Sequence, residues 1–543
     1  MTLHLKSRGY PFRPRLLFSC FIVVGVGFPT VYYFRRGQYF LFLSELLGNS
    51  SGGVENVSAL TSNRDERVEG LSLVGRFLYL YGVIEKQENV TMANIKEYIA
   101  EHEGRFHEDL YGLVRIPSIS AQSEHKADMQ RAAEYLRDHL LSLGVQEAEV
   151  MPSEGNPIVF GHYKQPGATK TILVYGHYDV MPVEPLELWE SQPFEPEIRD
   201  GRIYARGAND DKGQIMIQLK GFETAKALGL VGVNVKFIFE GEEEIGSGSL
   251  SPFCREHKDL LAADVILVSD TTMLSEETPS ITAGLRGLAY WQVEVTGPNR
   301  DLHSGHFGGA VANPINELCK IIAQIVDDKG RITVPGFYDK VLPLSDEERA
   351  MIRKAPFSEE AYCRALDIRE TQGEEGYITL ERNSCRPSFD VCGIWGGYQG
   401  EGAKTVLPSK AYAKLSCRLV ANQDHEEISR LMKEYIEQIA PKSVHVEVTP
   451  MHGGAGYYCP LDLPAYQAAA QAVEKAYGVA PLAIRSGGSI PIIAAFEEIL
   501  GLKTVLMGFG LEEDAIHSPN ESFSVGVFRK GVEAVAEFYR LFN

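Results

Sequence analysis

Three short apolar runs set the first constraint. Thr171–Tyr175, Val233–Phe239 and Val265–Val268 are rich in β-branched residues, and each stops on a polar cluster. Between the first two, Gln214–Leu228 has the length and pattern of a helix. Strands alternating with helices predict an α/β domain, in which chemistry collects beyond the carboxyl ends of the strands. An earlier amphipathic helix, Met129–Leu143, has Gly144 placed to end it, and helix, strand and helix return over Leu461–Asn543 to complete the domain.

The texture changes between these parts. Leu288–Val295, Ala411–Leu419 and Val444–Val448 read as strands, and Asn313–Val326 and His425–Ile439 as helices, which predicts a smaller α+β layer inserted into the first domain. The expected division is 92–283 and 456–543 for the α/β domain and 284–455 for the insertion. Within the insertion, Leu344–Glu381 is polar and helix-biased and reads as a surface elaboration.

Ahead of this body stands a leader of different character. Residues 1–91 carry ten basic and seven acidic side chains, whereas the remaining 452 residues have a net charge of −23. Leu16–Phe34 is uncharged for 19 residues, with Lys6, Arg8, Arg13 and Arg15 before it and Arg35 and Arg36 after it. That length just spans a bilayer, and the larger N-terminal basic cluster would stay in the cytoplasm and export the rest. Gly48–Gly53 reads as linker, and Asn49, Asn56 and Asn89 head N-x-S/T sequons. Two expectations follow: a single-pass anchor with an exported catalytic domain, or an extension absent from a cytoplasmic protein that starts at Met92. The acidic balance argues against a nucleic-acid partner. The scattered cysteines form no C-x-x-C pair and read as mostly buried, reduced thiols.

Five segments place imidazoles and carboxylates after apolar strands or in Gly-rich turns: Gly176-His177-Tyr178-Asp179, Gly207-Ala208-Asn209-Asp210-Asp211-Lys212-Gly213, Glu240-Gly241-Glu242-Glu243-Glu244, Ser269-Asp270 and Ile516-His517-Ser518. In an extended segment His177 and Asp179 share a face, so an imidazole can bind a metal while a carboxylate orients it. Singly, each has an ordinary structural explanation: a hydrogen-bonded histidine, a solvated acidic run, an Asx turn or a helix cap. Jointly they are what a two-metal hydrolytic site needs, with one carboxylate bridging ions about 3.5–4 Å apart.

From Met92 onward the ordered motifs G-H-Y-D-V, G-A-x-D-D-K-G, E-G-x-E-E-x-G-S, S-D, D-L-H-S-G and I-H-S-P-N-E resemble those of a family of di-zinc peptidases and amidohydrolases, which includes carnosinase, cytosolic non-specific dipeptidase, glutamate carboxypeptidase and aminoacylase. The resemblance implies a catalytic domain with a mixed sheet flanked by helices, interrupted by a smaller α+β lid and dimerisation domain. It implies two divalent ions, zinc or alternatively manganese: His177 and Asp270 would hold one, Glu244 and His517 the other, and Asp210 would bridge them. Asp179 would orient His177, Glu243 would be the general base, and the Asp210–Asp211 peptide bond would be cis. His303 would reach across a homodimer to stabilise the oxyanion, and Arg418, Thr405 and Ser489 would bind substrate. Asn209 and Gln214 occupy positions that vary in the family, and residues 1–91 have no counterpart in its soluble members. Asp270 and the long body between His303 and Arg418 lean toward the dipeptidase side.

The expected activity is therefore hydrolysis of dipeptides or small peptides. Two rivals stand beside it: an N-acyl amino acid deacylase or carboxypeptidase on the same site, and a non-catalytic, membrane-anchored peptide-binding protein. The last predicts a lost ligand or base, and the sequence lacks neither.

Overall fold

The computed structural model describes the backbone of residues 23–24, 31–32 and 73–543 except 489, and the side chains from 91 onward except 93 and 489. Met1–Ala93 and Asn94–Asn543 form separate units. In the first, Val23–Val24 and Val31–Tyr32 pair antiparallel. The rest of the apolar run Leu16–Phe34 lies outside the described residues, as do Asn49 and Asn56, while Asn89 falls within the helix Leu73–Val114. Among the described residues no helix is long and apolar enough to cross a membrane.

The second unit is built on a nine-stranded mixed sheet. Four neighbouring strands at its centre, Thr504–Leu506, Val265–Val268, Thr171–His177 and Asn234–Glu240, are mutually parallel. They are near-continuous buried runs because helices cover both faces, the pattern expected of parallel strands. Ile158–Tyr163 and Ser280–Leu285 close the two sides antiparallel. The helix Lys212–Ala227 is buried along almost its whole length, sandwiched between the sheet and the helix Val525–Leu541. The predicted helix at 129–143 is found at Lys126–Ser142, ended by Gly144 at φ +76°, a conformation that glycine adopts without strain.

Arg286 joins this sheet to a second one, four-stranded and antiparallel, ordered Ser388–Gly396, Lys410–Leu419, Gly287–Thr296 and His445–Gly454. Strict alternation along Gly287–Thr296 buries Ala289, Trp291, Val293 and Val295 on one face. The helices Pro314–Ile322 and His425–Ile439 cover that face with Leu318, Ile321, Ile428 and Met432. Asn313 and Asp424 cap the two helices through hydrogen bonds to Ile315 N–H and Glu427 N–H. The fold is thus α/β with a separate sheet-rich domain, as the resemblance implies.

The polar stretch 344–381 is more than a surface elaboration. Its first helix, Asp346–Ile352, is closed at the N-terminus by a Ser345–Glu348 capping box, and Glu348 also forms an ion pair with Arg485 near the end of a strand of the nine-stranded sheet. Beside this ion pair, Met351 and Ile352 line a small cavity with Ala283, Tyr458, Leu461 and Ala483, so the helix meets the large sheet through a mixed charged and apolar face. Of the seven described cysteines, Cys254, Cys385, Cys417 and Cys459 are buried, whereas Cys319 and Cys392 are exposed; all seven are free thiols.

Candidate active site and metal centre

His177 is the last residue of its strand and is wholly buried. The glycine before it is required: a Cβ on Gly176 would stand 2.7 Å from Asp211 Oδ2 and 2.6 Å from Ile215 Cγ1. Without a side chain there, the turn carrying Asp210 and Asp211 packs directly on the strand end. Asp211 occupies the N-cap position of the helix Lys212–Ala227, yet its carboxylate accepts from His177 N–H at 3.0 Å instead of capping. The Asp210–Asp211 peptide bond is cis, as expected.

Around His177 the donors converge. Its Nε2 lies 3.0 Å from Asp210 Oδ1 and 3.8 Å from Asp270 Oδ2, while its Nδ1 faces the Asp179 carboxylate at 3.4 Å and donates to the Asp179 carbonyl at 3.1 Å. On the other side of Asp210, Oδ2 lies 3.0 Å from His517 Nε2, which also meets Glu244 Oε2 at 3.1 Å. His177, Asp210 and Asp270 form one group with ligand atoms all within 4.8 Å of one another, and Asp210, Glu244 and His517 form a second. Asp210 belongs to both and turns one oxygen toward each.

The acidic run divides its work. Glu240 is buried and accepts from Tyr175 and Ser247 hydroxyls at 2.8 Å, and Glu242 accepts from Asn156 N–H and Ser249 N–H at 2.9 Å. These two hold the turn, so the run is no solvated face. Glu243 and Glu244 remain for the cluster, and their backbone N–H groups donate to the two oxygens of Asp179 at 3.2 and 3.1 Å. Asp179 therefore ties His177 and the Glu243–Glu244 turn to one carboxylate.

The electrostatics call for positive charge. Burial, reinforced by the charges of Asp270, Glu244 and Asp210, pushes Glu243 up to about 8, and burial together with Asp210 and Glu244 pushes Asp270 up to about 7. Hydrogen bonds to Asp210 and Glu244 raise His517 to about 10. Against the pull of burial, His177 and His517 hold the Asp210 carboxyl well below the usual range. Carboxylates crowd two imidazoles that already act as the nearest cations. Oxygen and nitrogen donors in two groups of three, sharing one carboxylate, suit divalent ions, which would relieve this repulsion.

His303, Thr405 and Arg418 belong to neither donor group. His303 and Thr405 meet on a two-stranded ribbon, where His303 pairs with Val406 and Ser304 N–H donates to the Thr405 carbonyl at 3.1 Å. His303 Nδ1 accepts from Gly305 N–H at 3.0 Å. Arg418 sits near the end of its strand, opposite Leu288 on one side and Ser388 on the other. Ser489 lies outside the described residues; Ser486–Gly488 before it are described.

Two buried carboxylates escaped the sequence reading. Glu521 accepts from Arg206 Nη1 at 2.8 Å and from the N–H groups of Gly207, Asn209 and Asp210 at 3.0, 3.0 and 3.1 Å. It shapes the whole Asp210 turn from a segment over three hundred residues away. Asp514 accepts from Leu511 N–H at 2.6 Å and binds Arg202 and Asn209. The only available signal was the glutamate that ends I-H-S-P-N-E.

A metallohydrolase is the class of protein that this sheet and this donor cluster define. Residues 173–540 match Peptidase family M20/M25/M40, and the chain belongs to that family of metallopeptidases, with the divalent-metal binding the family implies. It is 32% identical over 468 residues to the Cys-Gly metallodipeptidase dug1 of Schizosaccharomyces pombe, covering 82% of this chain and 97% of that one. It is 30% identical over 466 residues to the human Beta-Ala-His dipeptidase, covering 82% and 92%. Among solved structures, an M20 family metallo-carboxypeptidase, Sso-CP2 from Sulfolobus solfataricus, superposes with a TM-score of 0.70 at 33% identity, covering 80% of this chain and 99% of that one.

Proposed function

We propose that this protein hydrolyses the peptide bond of dipeptides or small peptides with the help of two divalent ions. The observation that carries the reading is the pair of three-donor groups sharing Asp210, with Glu243 beside them. His177 and Asp270 would hold one ion, Glu244 and His517 the other, and Asp210 both, with zinc the expected metal and manganese the alternative. Bound there, the ions supply Lewis acidity, lowering the pKa of a water and polarising the amide carbonyl.

The chain's own groups do the rest. Glu243 accepts a proton from the attacking water and returns it to the leaving amine nitrogen. Burial first, and the charges of Asp270, Glu244 and Asp210 after it, hold its pKa up; bound ions would offset the carboxylate part. Asp179 keeps His177 in one tautomer and fixes the backbone of Glu243. His303 donates to the oxyanion from the partner subunit of a homodimer. Arg418 and Ser489 bind the carboxylate end of the substrate, and Thr405 contacts the substrate.

Support for pairing through the lid comes from the edge strand Ser388–Gly396, which leaves Val391 and Ile394 41% and 49% exposed. Light scattering should return a dimer mass; a monomer would remove His303 from the mechanism. The domain limits 92–283, 284–455 and 456–543 belong to the same proposal. So does location: exported behind an anchor if residues 1–91 are retained, cytoplasmic if the chain begins at Met92.

The test is a dipeptide screen with added zinc or manganese, run beside N-acyl amino acids and longer peptides. Dipeptide turnover lost on chelation is expected; no turnover of any amide in either metal sinks the reading. Likeness to a metallo-carboxypeptidase keeps the second reading alive, and preferential cleavage of longer or N-blocked peptides would favour it.

A further inference from the structure

Arg286 is the single residue between the catalytic strand Ser280–Leu285 and the lid strand Gly287–Thr296. Its backbone N–H donates to the Gly488 carbonyl and its Nε to the Gly487 carbonyl, both at 3.2 Å. Gly487 has no room for a side chain, since a Cβ there would stand 2.5 Å from the Asn383 carbonyl oxygen and 3.0 Å from Arg286 Nη2. The turn after Ser486 is therefore gripped from two sides, by this guanidinium and by the helix Thr379–Ser384.

The same guanidinium is close to a second one. Leu288 pairs with Arg418, so Arg286, two residues back on the same face, is a diagonal neighbour of Arg418. Burial and the positive charge of Arg418 bring the Arg286 guanidinium down to about 10. Asp390, opposite Ser416 on the adjoining strand, is an acid that offsets part of this charge. Two guanidiniums near enough to repel each other across this diagonal favour an anion between them, and a planar carboxylate matches the fork geometry of arginine.

We propose that Arg286 is a positioning residue for the substrate's carboxylate: it fixes the Gly487–Gly488 backbone and joins Arg418 in drawing in the charged end of a small peptide. This rests on the hydrolase reading above and adds to it a residue that links lid, catalytic sheet and substrate turn.

The experiment measures kcat and KM on the metal-loaded protein for one dipeptide and for its C-terminal amide, in wild type, Arg286→Gln and Arg286→Lys. Wild type should favour the free acid. In Arg286→Gln that preference should fall by about 10-fold, the loss of one charge-assisted contact, mainly through KM for the acid, and Arg286→Lys should recover part of it. Equal losses on acid and amide, or an unchanged preference, would overturn the assignment while leaving the hydrolase reading intact. If Arg286→Gln does not fold, a partial fall of the preference in Arg286→Lys supports the proposal and an equal loss on both substrates overturns it. A wild-type protein that hydrolyses neither compound removes the underlying reading and this one with it.

Discussion

Glu243 and Glu244 are adjacent and chemically alike, yet they face different tasks. Glu244 meets His517 at 3.1 Å within a three-donor group, whereas Glu243 stands outside both groups. Glu243→Gln should therefore lower kcat by between about 10² and 10⁴ while the protein still carries its metal. Glu244→Gln should lose metal as well as activity. Elemental analysis beside the kinetics separates the two, and full activity in Glu243→Gln would dismiss it as the base. At this scale the grouping was legible where a candidate donor sits just past an apolar strand or in a Gly-rich turn: His177, Asp210, Glu244 and Asp270 come together from such places, and His517 joins them from the loop after Glu512–Asp514. Glu521 was not, because its task is to accept N–H groups from residues 207, 209 and 210, and no local pattern records such a partner.

Among elements, the turn 205–211 and the core under the four-stranded sheet make separate demands. Glu521 and Arg206 are both about 1% exposed, and removing one member of a buried, hydrogen-bonded ion pair strands the other. Glu521→Gln should cost on the order of 3 kcal/mol in denaturant unfolding and weaken metal binding, since the turn it shapes carries Asp210. A cost within 0.5 kcal/mol, roughly that of an ordinary surface change, would show that the turn holds itself. In the four-stranded sheet, Trp291 is fully buried and its indole N–H has no partner among the described residues. Trp291→Ala should cost about 3–5 kcal/mol, whereas Trp291→Phe, which also removes the unsatisfied donor, should cost much less. Strand positions in this sheet were readable from alternation alone, to within one residue for Leu288–Val295 and Ala411–Leu419. The last strand was not, because His445–Gly454 continues six residues past Val448 into exposed Thr449, Met451 and His452.

For the whole molecule, stability should depend on a group remote from the site. His139 is partly buried beside Lys220, whose Nζ lies 2.9 Å from its Nε2; burial, then the ammonium charge, pushes His139 down to about 4. An unfolded chain takes up this proton near pH 6.5, the folded one only near pH 4. Between those values the unfolded state binds more protons, so stability falls as pH drops from 6.5 and levels off below 4. His139→Gln should remove roughly 1–2 kcal/mol of the fall between pH 7 and 4.5, read from paired unfolding curves. Identical pH slopes in the two proteins would count against it. Peptide mapping of the native protein addresses the leader: a peptide from residues 40–90 would rule out a start at Met92. The alternation of strands and helices was legible because periodicity switches between 2 and 3.6 along the chain. The docking of 344–381 through Glu348 and Arg485 was not, since an ion pair leaves no periodic trace.

His517 and Glu521 come late in the chain, yet one completes a donor group and the other shapes the turn that presents Asp210. During synthesis, the strands bearing His177 and Asp270 leave the ribosome hundreds of residues before these two do. A nascent chain can thus fold most of its sheet while its donor cluster is still incomplete. The donor cluster closes only with the segment that carries His517 and Glu521, so a chain interrupted before residue 517 would lack one donor of the Asp210–Glu244–His517 group.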